Sequence, residues 1–193
     1  MRKMKRLVRY LKGKPRIVLR FDYQGRCTEL EGYSDSDWAG CKRTARSTSG
    51  GAMMVGGHNL KTWSSTQKSV TLSSGEAELV AAVKMGGELI GMCQLAHDWG
   101  IELEAKLLVD SSAAIGVVGR KGNGRLRHVK VGMLWIQERA ENGDIRVEKV
   151  LGENNPADLM TKYLTATKIE AHMEKLHQEA REGRAEKGLK VEE

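Results

Sequence analysis

Four carboxylates stand where an α/β chain delivers reactive groups, at the ends or the starts of its regular elements. The apolar run Leu107, Leu108, Val109 reads as a buried strand that runs straight into Asp110, and open α/β sheets place ligands beyond the carboxyl ends of their strands. An extended run from Glu29 to Asp37 ends in a similar acidic cluster, where Asp35 and Asp37 fall on one face of a continuing strand. One of that pair suffices for chemistry, and the other can serve a turn. Glu76 and Glu78 open a long apolar helix. Ser73 and Glu76 have the S-x-x-E spacing of a capping box, which gives Glu76 a structural task, whereas Glu78 has none and can face the sheet end. Asp158 follows Asn155-Pro156, a helix start by the N-cap and first-position proline rule. Helix-end roles compete with chemistry here: Asp110 or Ser111 could cap the helix that follows, and the dipole alone favours an acid at Asp158. Taken together, Asp35, Glu78, Asp110 and Asp158 form an all-oxygen donor set that suits hard divalent cations. Two such ions about 3.5 to 4 Å apart can activate a water and stabilise the leaving oxygen of a phosphodiester.

The elements that must position these groups can be read from periodicity and punctuation. A short helix over 2–12 is stopped by Gly13 and Pro15, and Ile17 to Phe21 reads as a strand. After the Glu29 to Asp37 run comes a polar loop (Gly40 to Ser49), then two strand-like runs, Ala52 to Val55 and Leu60 to Ser64, joined by a turn at Gly56 to Asn59. The strongest helix covers about Gly75 to Trp99, with apolar residues near period 3.6. A strand at Leu107 to Val109, a small helix at Ser112 to Val118, a helix over 129–141, a strand at Ile145 to Val150 and the Asn155-Pro156 helix follow. An antiparallel meander succeeded by alternating helices and strands predicts a mixed sheet covered by helices. The segment from Thr165 is charged and lacks aromatics, which predicts a frayed helix or disorder rather than core.

Composition narrows the function. With 193 residues, 40% apolar and 30% charged, the chain suits one globular domain. Its longest apolar run, Leu79 to Val83, is too short for a membrane helix, and no apolar stretch backs the basic start as a secretory signal would. Three well-separated cysteines, Cys27, Cys41 and Cys93, exclude a disulfide scaffold, and no histidine spacing suggests zinc. The net charge of +7 is carried by residues 1–20, which hold nine bases and no acid. A cluster such as Arg2, Lys3, Lys5, Arg6 and Arg9 attracts phosphates, of nucleic acid or of an anionic membrane, or is simply solvated. A second basic patch comprises Arg120, Lys121, Arg125, Arg127, His128 and Lys130, in a loop marked by Gly119, Gly122 and Gly124. Neither a Walker A pattern nor a nucleophile elbow is present.

Several ordered motifs carry a resemblance. Gly32-Tyr33-Ser34-Asp35-Ser36-Asp37-Trp38-Ala39-Gly40, Arg46-Ser47-Thr48-Ser49-Gly50, Leu72-Ser73-Ser74-Gly75-Glu76-Ala77-Glu78 and Asn155-Pro156-Ala157-Asp158-Leu159-Met160-Thr161-Lys162 closely resemble the ribonuclease H domain of copia-type long-terminal-repeat retrotransposon polyproteins. Trp63, Gln67 and Arg127-His128-Val129 fit in the same order. The resemblance covers about 29–164. Residues 1–28 form a basic leader resembling the end of the reverse transcriptase region, and 165–193 a charged tail. It implies a ribonuclease H fold, an α/β architecture with a five-stranded mixed sheet of three antiparallel and then two parallel strands. It also implies Mg²⁺-dependent hydrolysis, with two ions or Mn²⁺ as a substitute, of the RNA strand of an RNA:DNA hybrid. Asp35, Glu78, Asp110 and Asp158 match the catalytic, metal-binding acids. Implied partners are the hybrid and the reverse transcriptase and other Pol domains, with no membrane; the implied location is intracellular, in cytoplasmic particles or the nucleus. Arg120, Lys121, Arg125, Arg127 and Lys130 would follow phosphates, while Ser73, Ser74, Ser111 and Ser112 are candidates for 2′-hydroxyl contacts. Trp38 and Trp63 are expected in the core. Two departures stand out. Leu151 to Asn155 lacks the histidine that cellular ribonucleases H often carry before the last acid, and Asp110-Ser111-Ser112 replaces the usual Asp-Asn-Gln or Asp-Ser-Gln. A catalytically inactive or domesticated hybrid-binding module is the main alternative. An integrase-like core typically has three acids, and the Tyr-x-Asp-Asp signature of a polymerase is absent.

Overall fold

A computed structural model describes residues 2–122 and 131–183. Two consecutive hairpins build the antiparallel half of the main sheet from β2 (Glu29–Cys41), β3 (Arg46–Val55) and β4 (His58–Thr66). The polar loop expected at 40–49 is shorter than the sequence suggests, because β2 and β3 extend through polar residues to a tight turn. Small side chains such as Ser47, Ser49 and Gly50 permit this, since they sit buried in the ladder at no steric cost. Crossing over through α2 (Ser74–Asp98), the chain adds β5 (Glu104–Val109) parallel to β2. After α3 (Ser112–Val118) and α4 (Val131–Glu141) it adds β6 (Arg146–Lys149) parallel to β5. The resulting order is β4-β3-β2-β5-β6, three antiparallel strands and then two parallel ones.

Helix α2 fills one face of this sheet. Ser73 caps it as expected, its hydroxyl accepting from the Glu76 N–H at 3.2 Å. Glu76 reaches back one residue further than a standard capping box, its Oε2 accepting from the Leu72 N–H at 2.8 Å. Leu79, Ala82, Met85 and Leu89 are fully buried against Leu30, Met53, Leu107 and Val109. The packing is close enough to require glycine on the strand: a Cβ on Gly32 would lie 2.8 Å from Leu89 Cδ1 and Met85 Cγ. At 25 residues α2 has the length and apolar composition to cross a bilayer, but those apolar residues form the core of this sheet.

The tail packs on the opposite face, and the leader is joined to the tail. Helix α1 (Arg2–Gly13) is followed by β1 (Arg16–Leu19), which pairs antiparallel with β7 (Gln178–Arg181) in a separate two-stranded ribbon. Between α5 (Asp158–Thr161) and β7 runs α6 (Ala166–Lys175). Over residues 165–183 the tail is helical in α6, as one of the expected states, but it also contributes to the core and to a strand, which its composition does not suggest. Leu176 is fully buried against Ala52 and Met54, so one well-placed leucine and a strand partner from the leader outweigh a charged composition. Arg6 ties α1 to the body, donating to the Leu164 carbonyl at 3.2 Å. Leu107 lies fully buried on the central strand β5. We expect Leu107→Ala to lower the unfolding free energy by about 2 to 5 kcal/mol, read from urea unfolding with an unchanged m-value.

Candidate active site

Asp35, Asp110 and Asp158 converge: each offers a carboxylate oxygen, and these oxygens all lie within 4.8 Å of one another. Three different parts of the chain deliver them. Asp35 sits mid-strand on β2, where a fully buried position makes it part of the sheet. Asp110 follows the last residue of β5, whose Val109 pairs with Ser34 beside Asp35. Asp158 opens the short helix α5. Glu78, one turn into α2, joins from the other side of the sheet end: the Ser36 N–H donates to its Oε1 at 3.2 Å, while its buried Oε2 has no hydrogen-bond partner.

Electrostatics bind the four acids into one unit. Burial, with the negative charges of Asp35 and Asp110 added, pushes the Glu78 carboxyl up to about 8 from an ordinary 4.5. Burial likewise raises Asp35, against hydrogen bonds from Thr161 and Lys162, and raises Asp110, against the attraction of Lys162. Lys162 is the counter-ion. Its Nζ donates to Asp35 Oδ1 at 2.9 Å and to Asp158 Oδ1 at 2.7 Å, and Thr161 Oγ1 donates to the other Asp35 oxygen. Burial opposes its charge, yet the bonds to Asp158 and Asp35 win and raise its pKa. The donor set contains only oxygen, one of those oxygens is buried without a partner, and a cation already contacts two of the acids. These residues fit a hard divalent ion.

Of the residues singled out in the sequence, the three aspartates and Glu78 come together, whereas the serines divide. Ser73 and Ser111 spend their hydroxyls as N-caps, Ser111 Oγ accepting from the Ala114 N–H at 3.2 Å. Ser112 is exposed and accepts from Lys149 Nζ at 2.6 Å, and Ser74 is exposed at the start of α2. Lys121 is ion-paired with Glu141 and lies with Arg120 beyond the far end of α3. Arg125, Arg127, His128 and Lys130 fall outside the described residues. Asp37 is the turn acid of its pair, folded against Gly40 where β2 leaves register. Trp63 packs partly buried on the core as expected, but Trp38 does not: it is 48% exposed, because β2 carries it beyond the last residue paired with β5, where only β3 flanks it.

Comparison with known proteins follows the same lines. No family model matches the chain. It is 32% identical over 169 residues, 86% of its length, to the Retrovirus-related Pol polyprotein from transposon TNT 1-94 of Nicotiana tabacum. Over 176 residues, 90% of its length, it is 31% identical to the corresponding polyprotein from transposon RE1 of Arabidopsis thaliana. Among solved structures, LC11-RNase H1, isolated from compost by a metagenomic approach, superposes with a TM-score of 0.50 at 16% identity, covering 69% of this chain and 92% of that one. Its relatives are copia-type retrotransposon Pol polyproteins, and its fold is that of ribonuclease H. The chain spans only 13% and 12% of the length of those two polyproteins.

Within this ribonuclease H fold, three further residues hold the site, and sequence reading missed all of them. Lys162 had a signal, its i+4 spacing from Asp158 on one helix. Asn155, read only as a helix start, is fully buried and staples the α5 segment to β2, donating to the Ser34 carbonyl at 2.9 Å and accepting from the Ala157 N–H. Gly50 pairs with Asp35 across β2 and β3, and a Cβ there would sit 2.6 Å from Met160 Cβ, 2.7 Å from Thr161 Cγ2 and 3.1 Å from the Ala157 carbonyl. Its missing side chain is what lets α5 lie beside Asp35.

Two outcomes follow from this geometry. Gly50→Ala should displace α5, costing about 1 to 3 kcal/mol of stability and weakening divalent-ion binding measured by calorimetry. For Glu78, the folded protein holds a proton that the unfolded chain releases near 4.5, so stability falls as pH rises from about 4.5 to about 8. In EDTA, the melting temperature of Glu78→Gln should therefore gain on the parent across that window, and a pH-independent difference would contradict the assignment.

Proposed function

We propose that this domain is a metal-dependent endonuclease that hydrolyses the RNA strand of RNA:DNA hybrids during retrotransposon reverse transcription. The observation that carries this reading is the convergence of three aspartate oxygens within 4.8 Å, with Glu78 electrostatically coupled to two of them, at one end of a ribonuclease H sheet. Burial raises the pKa of Asp35, Glu78 and Asp110, and perturbed acids gathered at one sheet end are the pattern of a candidate reacting site.

Asp35, Glu78, Asp110 and Asp158 would hold two Mg²⁺ ions, with Mn²⁺ able to substitute. When bound, such ions polarise the phosphate oxygens and lower the pKa of attacking water. The chain itself supplies the rest. Backbone pairing of Ser34 with Val109 fixes the spacing of Asp35 and Asp110, and the Ser36 N–H orients Glu78. Thr161 orients Asp35, and Lys162 balances charge in the metal-free site. Overall, water adds to the phosphorus, the 3′-oxygen leaves as a hydroxyl, and the 5′-phosphate remains on the downstream fragment. Ser73, Ser74 and Ser112, which are exposed, and half-buried Ser111 could read the 2′-hydroxyl of RNA. Association with the reverse transcriptase and other Pol domains, and an intracellular location, belong to the same proposal.

Incubating the purified chain with a labelled RNA:DNA hybrid and with double-stranded RNA tests it directly. Cleavage confined to the RNA of the hybrid, abolished by EDTA and reduced at least about a thousandfold by Asp110→Asn, is the expected result. Hybrid binding without cleavage would instead favour a catalytically inactive module.

A further inference from the structure

Between Asp37 and Glu76 the chain carries no acid but five bases: Lys42, Arg43, Arg46, Lys61 and Lys68. Lys61 is paired with Glu88. The other four are exposed, and among the described residues none of them has a carboxylate partner. Three of them cluster on the tight turn joining β2 to β3, at the end of the strand that carries Asp35. From Asp35, β2 continues six residues to Cys41, so at about 3.3 Å per residue the turn begins no more than about 20 Å from the acidic cluster. Half-exposed Trp38 sits between them.

This surface is built rather than loose. Two non-glycine residues, Ala39 (φ 54°) and Ala45 (φ 53°), adopt the left-handed conformation that side chains disfavour. The surrounding bonds hold them there. The Ala39 N–H donates to Ser47 Oγ at 3.1 Å, and the Ala45 N–H donates to the Cys41 carbonyl at 2.8 Å. The Ser47 hydroxyl is also hydrogen-bonded to Thr71 Oγ1, and Trp38 Nε1 donates to the Thr71 carbonyl at 3.2 Å, which fixes the indole. Thr71 lies on the segment leading into α2, so turn, indole and the Glu78 helix are coupled. Strained backbone held in place beside a reacting site is a mark of function.

We propose that the β2–β3 turn, through Lys42, Arg43 and Arg46, with Lys68 and the indole of Trp38, is a second contact surface for the nucleic-acid duplex. It grips backbone phosphates within about six base pairs of the bond that is cleaved. This rests on the hydrolase reading above, and it assigns a substrate-holding role to residues on different elements from the Arg120 patch, which follows α3. The bases of a duplex are already paired and stacked, so the indole packs on sugar edges in the wide, shallow minor groove while the cations meet phosphates. Unpaired cations suit this, since each phosphate neutralised releases counterions and no internal ion pair has first to be broken.

The test is binding of a labelled RNA:DNA hybrid of roughly 20 base pairs in EDTA, by fluorescence anisotropy over a salt series. For Lys42→Gln/Arg43→Gln/Arg46→Gln we expect affinity to fall at least about tenfold and the slope of log K against log salt to flatten by about two to three. Trp38→Ala should weaken binding about threefold to tenfold with the slope unchanged. The charge-keeping variant Lys42→Arg/Arg43→Lys/Arg46→Lys should keep the parent slope. An unchanged affinity and slope in the glutamine variant would overturn the proposal, as would an equal loss in the charge-keeping one, which would trace the effect to turn geometry. Cleavage in Mg²⁺ is read separately. A parent that cleaves with a turn that does not matter for binding loses only this inference, whereas a parent whose binding depends on the turn but which never cleaves loses only the hydrolase reading.

Discussion

Negative charges held together out of water govern this molecule. Asp35, Glu78 and Asp110 each sit where burial disfavours ionisation; Asp35 and Asp110 raise the cost of charging Glu78, and Asp158 that of charging Asp35 and Asp110. Left to relax, such groups would move apart or take up protons. They stay close because their positions are fixed by backbone that cannot yield: adjacent central strands for Asp35 and Asp110, and the first turns of a core helix for Glu78. The burial of α2 against the sheet is thus the counterweight to the repulsion at its N-terminal end.

The fourth acid is held by different means. Helix α5 has only four residues and cannot stand by its own hydrogen bonds. It is pinned from three strands: Asn155 bonds to the Ser34 carbonyl on β2, Gly50 on β3 leaves it room, and Ser64 on β4 donates to the Met160 carbonyl at 2.6 Å. Lys162 then returns a positive charge to the acids that α5 approaches. The antiparallel half of the sheet is therefore a platform for α5 as much as a wall of the core.

Much of this was legible in the sequence, for a physical reason. Asp110 stood out because an apolar strand leading to an acid is costly unless the acid has work to do, and Glu78 because Glu76 alone satisfied the cap. The helix and strand periods gave the mixed sheet, and the resemblance to ribonuclease H gave its five strands. What escaped reading were effects that exist only between distant segments. Gly50 looks like any strand glycine until α5 crosses it, and Trp38 reads as core until β2 outruns β5. The buried role of Leu176 depends on β1 and β7 meeting, which no local pattern announces. Ser73 and Ser111 cap α2 and α3, a local need their positions at the helix starts already announced.

The β1–β7 ribbon joins the two ends of the described chain, residues 16–19 with 178–181. Pairing so remote in sequence carries a large loop-closure entropy and gains little until the segments between have condensed. The five-stranded sheet and the acids it positions are complete by Thr161, so a chain emerging from the ribosome can assemble its acid cluster first and fasten this clasp last. The ribbon is then the part most open to fraying in the native state, and amide hydrogens there exchange with solvent before those of the central strands.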